Sequence, residues 1–411
     1  MQLHGSRGGV AMAAVASVVV AAMLAVAVAP ARAEPADDAL PDATERVMAL
    51  GRVWAKAKFF HPYLAYKDID WDGALVAAIP RAEAATTLAD FRAAVQGMLA
   101  VLGDPATRVI DPPHHAARKP VADWLSTPAP GIVEIKVAGL AGDVGDRAAA
   151  QANATKAIAE LATAKVAVLD VRGQGAAWIL NAQLLDALPA IDDWPVERSI
   201  EHHGFRSHDS RPSGDYKSIF VTDGARPPKP APKTGPSQVV FIVDNEGGIP
   251  QAAVALQAAG RATLVAQGAL DEAALVTTVK VELPGKLMGE IRSGEPLWGT
   301  PVPDVLVGKN QDTEARAIAI AKAAVGKPTR ARPRKPAALP ELRLRNDPDY
   351  AETPYPTRER RILAGIRLWA VIDTFLPYRY LIADWDGALR AALPRLADAA
   401  DRDAYRRALR E

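Results

Sequence analysis

The sequence predicts an α/β protein: a helical module, an α/β core, and then a partial repeat of the helical module. Three observations carry that expectation. Apolar residues recur at three- and four-residue spacing from about Ala43 to Leu102. From about Gly131, short apolar runs alternate with Ala-rich helical stretches, as in a layered α/β fold. Finally, "RVWAKAKFFHPYLAYKDIDWDGALVAAIPR", residues 52–81, returns as "RLWAVIDTFLPYRYLIADWDGALRAALPR", residues 367–395.

The elements follow in order. The basic start "MQLHGSRGG", the apolar "VAMAAVASVVVAAMLAVAVA" and Ala31-Arg32-Ala33 read as a cleaved export signal over 1–33, leaving Glu34 first. An uncleaved anchor is the alternative, because the apolar run is nearly long enough to span a bilayer. Either reading places the rest of the chain outside the cytoplasm, in a periplasmic or extracellular location.

The helical module occupies 34–109. Met48, Val53 and Trp54 form one apolar stripe, and Phe91, Val95, Met98, Leu99 and Leu102 another, before Asp104-Pro105 stops the pattern. Trp54, Phe59, Phe60, Tyr63 and Trp71 fall at helical spacing, which makes them core or docking residues rather than an aromatic ligand box.

The α/β core occupies 130–325. Its strands are "GIVEIKVAGL", "KVAVLDVRG", "QVVFIVDN" and "ATLVAQG"; its helices are "DRAAAQANATKAIAELATA", "AWILNAQLLDALPAI" and "IPQAAVALQAAG". "ALVTTVKVELP" and "LMGEIRSGEPLW" carry strand and hairpin signals, and "TEARAIAIAKAAVG" is a closing helix. The Pro-rich "DGARPPKPAPKTGPSQ" reads as an extended loop.

A basic, Pro-rich linker, 326–355, follows. A solvated linker is expected there; the competing use of a basic run is to bind an acidic surface. The second helical copy, 356–411, pairs Trp54 with Trp369 and Phe60 with Phe375, with one residue deleted before Asp384. It stops at Glu411, the equivalent of Gly97. That suggests a tandem protein cut short, or helices that cap or swap onto another copy of the α/β region.

Composition excludes several chemistries. The chain has no cysteine, which rules out disulfides, zinc–thiolate sites and Cys nucleophiles. Without residues 1–33, 47 basic side chains face 48 acidic ones. That balance gives no reason to expect nucleic acid. No cofactor is expected, and no membrane contact once the signal is cleaved.

"LGDPATRV", "VAVLDVRGQGAAWILNAQLLDALP", "SIEHHGFRSHDSRPSGDYKSIF", "VVFIVDNEGGIPQAAVALQAAGRATLVAQG" and "GTPVPDVLVG" occur in this order over roughly 43–325. In that order they resemble the tail-specific, or C-terminal processing, serine peptidases, closest to their tricorn-like branch. The resemblance implies a crotonase-like α/β spiral core. The roughly 20 residues before the first core strand leave no room for a PDZ insert.

The family's site is then read position by position. Its Ser nucleophile falls on Gly247, with Gly248 as the near alternative. A Lys base would fall near Asp271-Glu272, and the tricorn-like His falls on Ala106. Glycine and alanine can neither attack a carbonyl nor accept its proton. What survives is backbone: the amides of Gly173, Gly175, Gly247 and Gly248 could form an oxyanion-like nest for a carbonyl or carboxylate, or the glycines simply allow tight turns.

His202, His203, His208 and Asp209 have conceivable metal spacing, but the resemblance places them on an exposed loop, so no metal is assigned. His114-His115 could supply a base but has no nucleophile to serve. The expectation is a degenerate peptidase unit that holds polypeptide or peptide C-termini, or supports a downstream second copy. The alternatives are an active endopeptidase with a displaced nucleophile, Ser213 or Ser218, or a non-enzymatic, homo-oligomeric assembly module.

Overall fold

A computed structural model describes residues 40–411 apart from 112–120, 122, 142–146, 174, 208–213, 225, 309, 328–337, 344–347, 349, 351 and 352; for 203–207 and 214–217 it describes backbone alone. The export-signal region therefore lies outside the described residues, as do His114, His115, His208, Asp209 and Ser213.

Three helices open the fold: α1 (Ala43–Phe60), α2 (Trp71–Ala84) and α3 (Leu88–Leu99). Each begins on a side chain that satisfies an orphan amide. Asp42 accepts from the Glu45 amide, Asp70 from Gly73, and Thr87 forms a reciprocal box with Asp90. The α1–α2 corner is locked by two tryptophans, whose indole N–H groups donate to each other's backbone carbonyls at 3.2 and 3.1 Å. Gly103, at φ +62°, ends the module.

The chain continues through β1 (Arg108–Ile110), β2 (Leu125–Ala129), β3 (Ile132–Lys136), α4 (Arg147–Thr163), β4 (Val166–Asp170) and α5 (Ala176–Ile179). The long helix expected over "AWILNAQLLDALPAI" is broken: α5 has four residues and passes into a π turn and a 3-10 turn before Pro189. Next come β5 (Glu197–Ser207), β6 (Gly214–Asp223), β7 (Gln238–Val243), α6 (Gln251–Ala258) and β8 (Ala262–Gln267). Then follow β9 (Thr278–Glu282), β10 (Met288–Arg292), β11 (Gly294–Pro296), β12 (Val305–Val307) and α7 (Thr313–Ala324).

The main sheet has the order β12-β8-β7-β4-β3-β2, parallel throughout except for the β2–β3 pair. In its two central strands, β4 and β7, every position from Val166 to Asp170 and from Val239 to Val243 is buried, because both faces are covered. Val239, Phe241 and Val243 enter the core shared with α4 and α6, whereas Val240 and Ile242 enter the core under α7. Period-two alternation sends neighbours to opposite layers. Two smaller antiparallel sheets, β1-β10-β9 and β11-β5-β6, flank it. The protein is thus a mixed α/β fold.

The chain ends in α8 (Arg358–Phe375), α9 (Trp385–Ala397) and α10 (Arg402–Arg410). These reproduce the local chemistry of the first helices. Arg46 donates to the carbonyls of Pro41, Ala82 and Glu83; Arg361 donates to those of Pro356, Leu396 and Ala397. Asp384 caps α9 through the Gly387 amide as Asp70 caps α2. Both sets of helices share one core with β9 and β10, in which Ile366 packs over the space that a Cβ on Gly51 would need.

The contact between the two sets is reciprocal. Arg52 bonds Asp386 at 2.9 Å, and Arg367 bonds Asp72. Arg52 matches Arg367 and Asp72 matches Asp386 in the sequence alignment. Such an exchange, i to j′ and i′ to j, is the pattern of a two-fold interface within one chain. The C-terminal helices therefore lie on the N-terminal ones. The intervening stretch is also tied down at its described residues. Pro340 O accepts from Arg198, the Arg343 amide donates to Ala65 O, and the Tyr350 hydroxyl donates to Asp72.

Candidate functional site

The turn after β7 sits beside the end of β4, at the carboxyl edge of the main sheet. This edge is stitched by charge. Arg172 bonds Asp170, Gln267 and Glu314, and Lys136 bonds Glu314 at 3.0 Å. The hydrogen bond to Asp170 holds the Arg172 guanidinium above its ordinary range. These contacts fasten β3, β4, β8 and α7 together behind the turn.

Within the turn, Asp244 is the organising residue. One carboxylate oxygen accepts from the amides of Gly247 at 2.7 Å, Glu246 at 3.1 Å and Gly173 at 3.2 Å. Its backbone carbonyl accepts from the Gly248 amide at 3.1 Å. Three of the four glycine amides expected to form an oxyanion nest therefore point at the chain's own Asp244. Two of them, from Gly173 and Gly247, meet its carboxylate, and the third, from Gly248, meets its backbone carbonyl. Gly175, the fourth, has φ +75° and begins α5.

Gly247 itself is a close-approach glycine. A Cβ there would stand 2.2 Å from the Val171 carbonyl oxygen and 3.1 Å from that of Gly173. A serine at this position cannot be seated on this backbone. Gly248 has φ +67°, which L side chains rarely adopt. The signal that identifies this arrangement in the sequence is Asp244 followed by Asn-Glu-Gly, an Asx-turn pattern.

The second expected position, Ala106, is fully buried, and its neighbourhood is a charged hub. Asp104 accepts from the Ala106 amide, from the Thr107 hydroxyl at 2.7 Å, and from Arg292 Nε and Nη2 at 3.1 and 2.8 Å. His61 Nε2 lies 3.0 Å from the same carboxylate, and His61 Nδ1 accepts from the Tyr63 amide. The proton of the neutral ring is therefore on Nε2. Burial lowers the His61 pKa, despite the carboxylate beside it. Burial alone would raise the Asp104 pKa, but the hydrogen bonds from His61, Arg292 and Thr107 outweigh it and hold the group far below its usual range.

The hub reaches the turn through a short chain of contacts. Arg292 also bonds Glu272; Arg108 bonds Asp271 at 2.9 Å; and the Asp271 amide donates to Asn245 Oδ1 at 2.7 Å. The structure thus brings Ala106, Asp271-Glu272 and Gly247 into one neighbourhood. The ion pairs Arg292–Asp104, Arg292–Glu272 and Arg108–Asp271 lie within it.

The histidine-rich stretch departs from the expected exposed loop. His202 and His203 lie in β5, which pairs antiparallel with β6, and His202 is half-buried among Phe59, Phe60 and Phe375. Alternation along a strand turns His202 toward α1, which the loop reading could not foresee. His202 contacts Ser218 and Phe59 and lines a cleft of about 660 Å³.

No protein-family model matches the chain, and no curated protein matches it. The chain is similar to several solved structures. One is a lipoprotein from Streptococcus agalactiae, at 12% identity and TM-score 0.39, covering 69% of this chain and 98% of the other. A second is a candidate peptidase from Parabacteroides merdae, at 14% identity and TM-score 0.40, covering 70% and 98%. A third is the photosystem II D1 C-terminal processing protease, at 14% identity and TM-score 0.34, with the same coverages. At these TM-scores the likeness is loose, and the reading of the site stands on this chain's own residues.

Proposed function

We propose that the chain is a degenerate, exported member of the tail-specific peptidases, with a crotonase-like core, that binds polypeptide without cleaving it at the β7–α6 turn. The observation that carries this reading is the Asp244 carboxylate seated on the Gly173, Glu246 and Gly247 amides. An oxyanion hole works by offering unfilled donors to developing charge. Here a fixed negative charge already occupies them, and Gly247 leaves no room for a nucleophile.

The binding role is supported by a cleft of about 170 Å³ beside the turn, walled by Ile249, Val254, Leu275, Val276, Pro296 and Trp298. Gln251 also lines it, and its buried Oε1 has no hydrogen-bond partner; Glu197 adds a carboxylate. An apolar wall with acceptors suits a side chain within a polypeptide better than a terminal carboxylate, which Glu197 and Asp244 repel.

Incubation of the full chain with unfolded, fluorescein-labelled casein tests this. The expected result is binding by anisotropy, weakened in Trp298→Ala, with no new peptides by mass spectrometry. Cleavage products that persist after rigorous purification would overturn the reading. The exported form is expected to begin at Glu34 on N-terminal sequencing; a retained Met1 would remove the cleaved-signal part alone.

A further inference from the structure

His202 and Ser218 are directly opposed across β5 and β6. Their side chains meet, with Nδ1 2.8 Å from the Ser218 Oγ. The other ring nitrogen, Nε2, is 2.6 Å from the backbone carbonyl oxygen of Phe59. A carbonyl only accepts, so Nε2 carries the ring proton of neutral His202. Nδ1 is then the nitrogen with the lone pair, and the Ser218 hydroxyl donates to it. Nucleophile, base and orienting group are therefore connected in sequence.

The ring is held in place. Phe59, Phe60 and Phe375 meet it edge-on, at centroid distances of 5.9, 5.5 and 5.1 Å. Phe375 comes from α8, so the C-terminal helices help to build this site. Burial pushes the His202 pKa down, which keeps the ring neutral near pH 7.

Both side chains line the cleft of about 660 Å³ between α1, the β5–β6 hairpin and Phe375. Its size falls within the range of about 300–1,000 Å³ common for small-molecule sites. Leu64, Ile69 and Ile200 give it an apolar wall, and its charged lining is mixed, with Lys58, Lys67 and Arg343 alongside Asp68, Asp70 and Asp72.

We propose that Ser218 and His202 form an acyl-transfer dyad that opens small carboxylic esters with an apolar acyl group. Ser218 Oγ bonds to the ester carbonyl carbon as its proton passes to His202 Nδ1. The ester C–O bond then breaks, and the departing alkoxide takes the proton back from His202. Water attacks the acyl-serine with His202 again accepting a proton; the acyl C–Oγ bond then breaks, and His202 returns the proton to Ser218 Oγ, releasing the carboxylic acid. The site uses neither Gly247 nor Asp244, so it stands or falls apart from the polypeptide-binding reading.

A cross-strand polar pair also holds a hairpin together, so the test reads reactivity. The full chain is treated with a fluorophosphonate probe and the adduct is mapped by peptide mass spectrometry. The label is expected on Ser218, and is lost in Ser218→Ala along with hydrolysis of p-nitrophenyl acetate. Because the chain has no cysteine, Ser218→Cys places a single thiol against His202. Iodoacetamide should alkylate it near pH 7 about tenfold or more faster than in Ser218→Cys/His202→Gln, because a neighbouring imidazole draws out the thiolate. Absence of label on Ser218 overturns the proposal, and so do equal alkylation rates in the two cysteine variants.

Discussion

A methyl group at position 247 would stand 2.2 Å from the Val171 carbonyl oxygen, inside any van der Waals contact. The position is closed by backbone, which cannot swing aside as a side chain can. Gly247→Ser is therefore expected to destabilise the protein by about 1–3 kcal/mol in urea denaturation, the usual range for overpacking. It should also fail to create peptidase activity, alone or with Ala106→His. Appearance of casein cleavage in the double variant would show that the turn is an elbow lacking only its side chain. The same residue-scale logic explains Asp244. Its carboxylate supplies the charge that the amides attract, so the turn is complete without a ligand.

The helices carry a second kind of information. Arg46 and Arg361 make matching sets of three carbonyl contacts, and these fix the start of α1 and α8 against the ends of α2 and α9. Between the two sets, the reciprocal ion pairs differ in environment. Arg52 and Asp386 are 29% and 47% exposed, whereas Asp72 is 5% exposed and already has one oxygen without a partner. Removing the Arg52 charge should therefore cost no more than about 1 kcal/mol, as for an exposed pair. Arg367→Ala leaves Asp72 buried and should cost about 3 kcal/mol. A double-mutant cycle on each pair, read by chemical denaturation, checks the order. Equal costs would mean that the two contacts are equivalent, as a strict two-fold would make them.

At the scale of the whole molecule, the Asp104 hub joins the first helical module to β10 through Arg292. Its pH behaviour follows from the two shifts. The folded-state pKa of His61 is lowered, so between its ordinary value, about 6.5, and the folded value the unfolded chain binds a proton that the folded one refuses. Stability then falls as pH falls. His202 has the same sign. Asp104 is also lowered, so its contribution is intact above about pH 4 and is lost on further acidification through its folded pKa. The melting temperature should therefore drop between pH 7.5 and pH 5.5, and drop less in His61→Gln. An unchanged slope in that variant would remove His61 as a source of the pH dependence.

Periodicity and composition fixed much of this in advance. The apolar runs "VAVL" and "VVFIV" are central strands because only two-sided burial makes such runs stable. The doubled "DWDGAL" marks two helix starts because aspartate caps and glycine admits the cap. That position 247 is a glycine and position 106 an alanine is likewise read directly from the chain. Other features needed the fold. The Asp244 interactions join residues 71 positions apart, and the His61 ring meets a carboxylate 43 positions away. The Ser218–His202–Phe59 chain depends on hairpin register and on how β5 lies against α1. Sequence alone determined which side chains this protein lacks and where the Asp-capped helices and the buried central strands begin. Only the tertiary structure decided which amides face which carboxylate and which serine faces a histidine, because those contacts are set by strand register and packing between distant segments.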